Sequence, residues 1–195
     1  VSKPRPEASH PFRVVGIDPG TENLGFSVLD LSLQDGSRTV TYTETLHSQK
    51  LLSMYRVEED VHGTRTARLM ALEDRLFLLF EQWQPHAICS EAPYMGRFPQ
   101  AFAALTECVS YVRRAVCRYD RYIPLDVVDP PTAKKAVGVL VKRGVTKDDV
   151  TVAIARLPLV YASGIDLSTL DEHQVDALAV AYYQSQIFRD QIPGL

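Results

Sequence analysis

The period of the apolar residues changes once along this chain, and that change limits the folds open to it. Up to Leu46 the apolar and β-branched residues run or alternate as strands do. From Thr64 they recur at three- and four-residue steps, as on a helix face. Phe12–Asp18 (FRVVGID) is an apolar run, Leu24–Asp30 (LGFSVLD) alternates, and Thr39–Leu46 (TVTYTETL) follows an Asp35-Gly36 hairpin turn. Three strands in succession with short connections predict an antiparallel meander. Leu69, Leu72, Leu76, Leu79, Phe80 and Trp83 then mark one face of a helix over 64–83.

His86–Glu91 (HAICSE) reads as a short buried strand ended by Pro93. In the next helix Phe98, Phe102, Leu105, Val109, Val112 and Val116 draw a narrow 4-3-4-3-4 seam, which suits either core packing or a partner helix. Tyr122–Val128 is a fifth strand, and Asp129-Pro130-Pro131 a helix start with Asp129 as cap. Lys147 to about Arg156 and Thr169 to about Phe188 are two further helices. Thr169-Leu170-Asp171-Glu172 fits a capping box for the last. The order βββαβαβααα predicts an α/β fold with a mixed five-stranded sheet, an antiparallel meander plus parallel βαβ strands, flanked by helices. Residues 1–11 carry three prolines and read as a flexible arm; 12–190 read as one domain.

At 195 residues with 46% hydrophobic and 23% charged content, the composition excludes a disordered, collagen-like or disulfide-stapled chain. No apolar run approaches the roughly 18 residues of a membrane span, and the N-terminus lacks a signal-peptide core. Cys89, Cys108 and Cys117 form no CxxC pair, which fits buried small apolar residues in a reducing cytoplasm. The five histidines show no zinc spacing.

Asp18 and Glu91 each close a buried strand. If those strands are parallel neighbours, the two carboxylates lie side by side at the sheet edge where α/β folds bind ligands. On the last helix Glu172, His173 and Asp176 sit at i, i+1 and i+4, so all three could share one face. Carboxylates from strands joined by helix ligands suit a hard divalent cation. Taken singly, each has a plainer reading: an Asp at a strand end as a turn or cap residue, Glu172 as a capping-box residue, His173 as an ordinary helix histidine.

Four blocks of sequence carry a family resemblance. Gly16-Ile17-Asp18-Pro19-Gly20-Thr21 with Gly25 resembles the first-strand motif of RuvC-type Holliday-junction resolvases, of the ribonuclease H-like superfamily. Ser90-Glu91-Ala92-Pro93-Tyr94-Met95 is similar to that family's second acidic block. Pro131–Val150 resembles its block of lysines around a glycine-containing turn, and His173-Gln174-Val175-Asp176-Ala177-Leu178-Ala179 its C-terminal helix motif. The resemblance spans about 12–185 and marks a divergent member, of bacterial or bacteriophage type.

It implies that Asp18, Glu91 and Asp176 are metal-binding catalytic acids. It places His173 at the fourth catalytic position, as a metal ligand or a proton acceptor. Tyr94 stands where the family stacks an aromatic on bases, a contact worth ~1–3 kcal/mol. Lys134 or Lys135, together with Lys147, match positions that contact the scissile phosphate region. Lys142 and Arg143 complete the basic block.

The implied activity is paired, symmetric nicking of four-way DNA junctions with two divalent ions, leaving 5′-phosphate and 3′-hydroxyl ends. Magnesium suits the oxygen ligands and manganese would substitute. A two-fold homodimer would match one active site to each cut strand, with the helix over 97–118 as candidate interface. Three rivals remain: the same fold acting on flaps, forks or RNA–DNA hybrids; an inactive junction-binding module; and an actin-like ATPase suggested by Asp18-Pro19-Gly20-Thr21. The last lacks a later DxGxG loop.

Charge is distributed unevenly. Although the chain carries net −3, residues 97–147 hold 10 bases and 4 acids, and within 130–147 five bases stand with no acid. That distribution suits a nucleic-acid partner better than the total suggests.

Overall fold

The computed structural model describes residues 11–95, 98–140 and 147–192. The strands are β1 (Phe12–Asp18), β2 (Asn23–Leu31), β3 (Arg38–His47), β4 (Ala87–Glu91), β5 (Leu125–Val128) and β6 (Leu159–Tyr161). The helices are α1 (Ser48–Leu51), α2 (Arg56–His62), α3 (Thr64–Trp83), α4 (Pro99–Tyr119), α5 (Pro130–Ala136), α6 (Lys147–Ile154) and α7 (Glu172–Gln191). The described strands form one sheet in the order β5-β4-β1-β2-β3-β6. β1, β2 and β3 pair antiparallel, as the meander predicts, and β4 lies parallel to both β1 and β5.

The sheet therefore has six strands, one more than the five read from sequence. β6 is only three residues long, lies between Pro158 and Gly164, and pairs parallel with Arg38–Val40 alone. A three-residue run holds too few positions for alternation to register. Nor does apolar periodicity mark α1 and α2, because α2 buries no residue at all. The expected arm over 1–11 lies, apart from Pro11, outside the described residues.

Two helical layers cover the sheet. Because successive strand side chains point to opposite faces, Val15, Ile17, Leu24 and Phe26 meet Leu69, Leu72, Leu76 and Phe80 of α3 and Cys108, Val112 and Val116 of α4. Each such fully buried side chain contributes roughly 1.5–3 kcal/mol. The other face receives α7, which also packs against α5 and α6 and is largely buried from Val175 to Ser185.

The β1 and β2 glycines admit α7. A Cβ on Gly16 would stand 2.1 Å from the Ala177 carbonyl oxygen, and one on Gly25 2.0 Å from that of His173. The sheet thus offers no side chain at Gly16 and Gly25, and the helix only the methyl groups of Ala177 and Ala181.

The seam read along α4 divides. Val109, Val112 and Val116 are buried in the core, whereas Phe98 ahead of the helix is 73% exposed and Phe102 and Leu105 are half-buried. Cys89 and Cys108 are buried as expected, but Cys117 is exposed, because it lies on the outer face of α4.

Candidate active site

Asp18 and Glu91 close β1 and β4, which run parallel with Ile17 opposite Ser90, so the two carboxylates emerge together at one end of the sheet. The third element, α7, begins just above them. Asp171 caps it through a true capping box with Gln174: the Gln174 N–H donates to Asp171 Oδ1 at 3.0 Å, and the Asp171 N–H to Gln174 Oε1 at 2.9 Å. The box thus sits two residues beyond the expected Thr169–Glu172, because Leu167–Thr169 forms a 3-10 turn and Leu170 is extended. Glu172 is the first helical residue instead of a capping partner.

The same cap is stitched to the sheet. Thr45 Oγ1 donates to Asp171 Oδ1 at 2.7 Å, Gln174 Nε2 to Thr43 Oγ1 at 3.1 Å, and Ser27 Oγ to the Gln174 carbonyl at 3.1 Å. These bonds set the rotation of the first turn of α7 and bring His173 onto β1. His173 Nδ1 lies 2.9 Å from Asp18 Oδ2. A carboxylate oxygen accepts, so Nδ1 is the donor in this contact. Glu172 Oε1 lies 3.7 Å from His173 Nε2. None of these positioning residues stands out in the sequence, although the Asp171-x-x-Gln174 spacing was a signal for the cap.

Asp176, one turn on, faces Lys134 of α5, whose Nζ is 3.8 Å from Asp176 Oδ1. Asp129 caps α5, accepting the Thr132 N–H at 3.0 Å, as Asp129-Pro130-Pro131 predicts. Lys134 is thereby turned toward the acids while Lys135 is exposed. Lys142 and Arg143 lie outside the described residues, as does the side chain of Lys147, whose backbone begins α6. Tyr94, three residues past Glu91, is 66% exposed, and Met95 beside it 64%.

The electrostatics of this end are unbalanced. Burial, then the charges of Asp18 and Asp176, push the Glu91 carboxyl up to about 8, with Lys134 opposing. Three carboxylates and an imidazole are the donor chemistry of a hard divalent ion, and their mutual repulsion is what such an ion would offset. The set is not drawn into a closed cage: among the described residues no three His, Cys, Asp or Glu side chains are grouped tightly enough to hold a metal. His173 against Asp18 and Lys134 against Asp176 instead supply the compensating contacts. The donors therefore fit a divalent ion in kind, and binding one would have to draw them together.

No family model matches the chain. It is similar to the crossover junction endodeoxyribonuclease RuvC of Thermomicrobium roseum, with 28% identity over 174 residues, covering 89% of this chain and 93% of that protein. Among solved structures it resembles T. thermophilus RuvC in complex with Holliday junction substrate, with a TM-score of 0.67 and 18% identity over 91% of this chain and 96% of the other. The yeast mitochondrial Holliday junction resolvase Ydc2 gives a TM-score of 0.59 and 16% identity over 95% and 85%. The fold is thus the mixed-sheet, ribonuclease H-like arrangement. No helix among the described residues is long and apolar enough to cross a membrane.

Proposed function

We infer that this chain, a RuvC-type member of the ribonuclease H-like superfamily, is a divalent-metal-dependent endonuclease that resolves Holliday junctions. The observation that carries this reading is the convergence of Asp18, Glu91 and Asp176 at the open end of β1 and β4, under a helix seated on Gly16 and Gly25. Burying like charges beside one another costs stability and has no structural purpose unless a cation or phosphate chemistry uses them.

In this reading Asp18, Glu91 and Asp176 hold the metal, with Asp18 placed between the other two elements and His173 at its side. When bound, two such ions lower the pKa of the attacking water and stabilise charge on the phosphoryl and leaving oxygens; magnesium or manganese would serve. Asp18 fixes the His173 ring by accepting its Nδ1–H, leaving Nε2 as the atom that ligates or accepts a proton. Lys134, 3.8 Å from Asp176, would draw in the scissile phosphate while shielding Asp176 from Glu91. Lys135 would add a contact to the DNA backbone, the basic residues Lys142, Arg143 and Lys147 of the same sequence block are proposed for the same role, and Tyr94 is exposed enough to stack on a base beside the cut. The products would carry 5′-phosphate and 3′-hydroxyl ends.

A four-way junction offers two symmetric strands, which a two-fold homodimer would cut in concert. The exposed start of α4, with Phe98, Phe102 and Leu105, is the surface that such a dimer would cover. The deciding experiment compares cleavage of a synthetic four-way junction, a flap, a fork and a linear duplex with Mg²⁺ or Mn²⁺. Symmetric nicking of the junction alone is the expected result. Equal or better cutting of flaps or forks would replace the substrate assignment while keeping the nuclease.

A further inference from the structure

Beyond the acids, the same end of the sheet carries a second cleft of about 370 Å³, lined by Glu22, Asn23, His47, Gln49, Lys50 and Arg68. The register locates it. Asp18 pairs with Gly25, Gly25 with Thr45, and Asn23 with His47 one step nearer the strand ends. One strand spacing to Asn23 and two to His47, with two residues along the strand, therefore set the cleft about 10 Å from Asp18. The β1–β2 turn that forms its floor is held in place by Ser48, whose N–H donates to the Glu22 carbonyl at 2.9 Å and whose Oγ donates to that of Thr21 at 2.8 Å.

The hydrogen bonds within the cleft use up acceptors and leave donors. His47 Nδ1 meets Asn23 Oδ1 at 2.9 Å, a contact that does not use the Asn23 amide hydrogens. Arg68 Nη2 donates to Gln49 Oε1, which likewise leaves the Gln49 amide hydrogens outside that contact. Lys50 is exposed at the rim. Arg68 Nη1 donates to Glu22 Oε1 at 3.2 Å, and the Glu22 side chain is 76% exposed. The Arg68 Nε–H is buried and, among the described residues, has no hydrogen-bond partner. A buried guanidinium N–H without an acceptor is desolvated and unpaired, and the Nη1 and Nη2 groups of the same arginine, which face the cleft, suit a planar or tetrahedral oxyanion.

We propose that this cleft binds a backbone phosphate of the same DNA strand whose scissile phosphate lies at the acids, with Arg68 and Lys50 as its anchors. The proposal rests on the reading of the chain as a DNA nuclease. Glu22 occupies the guanidinium in the way a phosphate oxygen would and, being exposed, can swing out when the strand arrives. The ligand class is a phosphodiester: the cleft offers donors and positive charge, and its one acid sits on an exposed side chain. A contact about 10 Å from the cut would orient the strand entering the site and leave the chemistry to Asp18, Glu91 and Asp176.

The test is binding of a synthetic four-way junction and of a linear duplex in EDTA, at salt from about 50 to 200 mM, by the wild type and by Lys50→Ala, Arg68→Gln and Glu22→Gln. Lys50→Ala and Arg68→Gln should each weaken binding about three- to tenfold and lower the salt slope by about one phosphate contact. Glu22→Gln should tighten it at least about twofold. Unchanged affinity and slope in all three, with a wild type that binds, would overturn the proposal alone. Weakening confined to Arg68→Gln with a lowered melting temperature would make Arg68 a structural residue and overturn it too. Stabilisation by inorganic phosphate that Arg68→Gln abolishes, with DNA binding unaltered, would assign the cleft to a free anion and likewise reject it. A wild type without preference for the junction would refute the junction reading instead, and the duplex series would still decide the cleft.

Discussion

Two glutamates, Glu73 on α3 and Glu91 at the end of β4, take negative charge out of water in opposite ways. Glu73 is 4% exposed and ringed by cations: Arg114 Nε at 3.2 Å and Arg118 Nη1 at 3.0 Å, with Arg118 also on Asp74 at 2.6 Å. Tyr55 donates to Asp74 from the other side at 2.7 Å. That network ties α3 to α4 and leaves no charge uncompensated. Glu91 faces two further acids and one lysine, and its carboxyl is pushed up to about 8. Burial of a charge says little by itself; the sign of its neighbours separates a fastener from a reactive site.

Breaking the acidic side of that comparison should have the largest effect. Asp18→Asn removes the carboxylate shared by β1 and His173, and cleavage should fall by several kcal/mol of barrier, at least about a thousandfold. Junction binding in EDTA should persist. Retained cleavage in Mg²⁺ would remove Asp18 from the metal site.

Next comes the seat of α7. Gly16→Ala places a methyl 2.1 Å from the Ala177 carbonyl, where backbone faces backbone, so the helix must lift. The expected cost is about 2–4 kcal/mol, read as a lower melting temperature, with activity lost in proportion to the displacement of His173 and Asp176. A variant that melts like the wild type would show that the helix is not seated on that glycine.

The fastener is tested by Glu73→Gln. Its arginine partners are 43–61% exposed, so water takes up part of the loss, and the expected cost is about 1–2 kcal/mol with cleavage per folded molecule unchanged. A matching loss of activity at a temperature where the protein is folded would couple α3–α4 to the site and blur the distinction.

Glu91→Gln sharpens it from the other side, with the smallest effect on stability. A carboxyl whose pKa is raised on folding binds its proton more tightly in the native state than in the unfolded chain. Metal-free stability should therefore fall as pH rises between about 5 and 8. The glutamine variant should flatten that fall and melt slightly higher than the wild type at pH 8, while losing cleavage. Thermal melts in EDTA across that range decide it; a pH profile identical in both proteins would show that Glu91 is not destabilised by its neighbours.

Much of this molecule was legible beforehand because its elements are written in local periodicity. Leu69, Leu72, Leu76 and Phe80 marked α3 to its observed ends, and the alternation in 39–46 marked β3, because side-chain spacing on a helix or strand depends on the element alone. β6 and α2 escaped for the same reason: neither has enough buried positions to make a period. The seam on α4 was ambiguous in sequence, since Val109, Val112 and Val116 face the core while Phe98 does not, and apolar spacing cannot tell which neighbour a face will meet.

The sequence by itself determined where Asp18, Glu91, His173 and Asp176 fall on their elements, two at strand ends and two in the first turns of a helix. Only the tertiary structure decided which of them touch. His173 meets Asp18 across 155 positions, and Lys134 instead of Lys135 turns toward Asp176, because caps and helix seating fix rotation angles that no spacing records. The cleft around Arg68 belongs wholly to that second category. Its residues come from a turn, two strand ends and two helices, each ordinary in its own segment, and strand register together with helix packing brings their donors to one place.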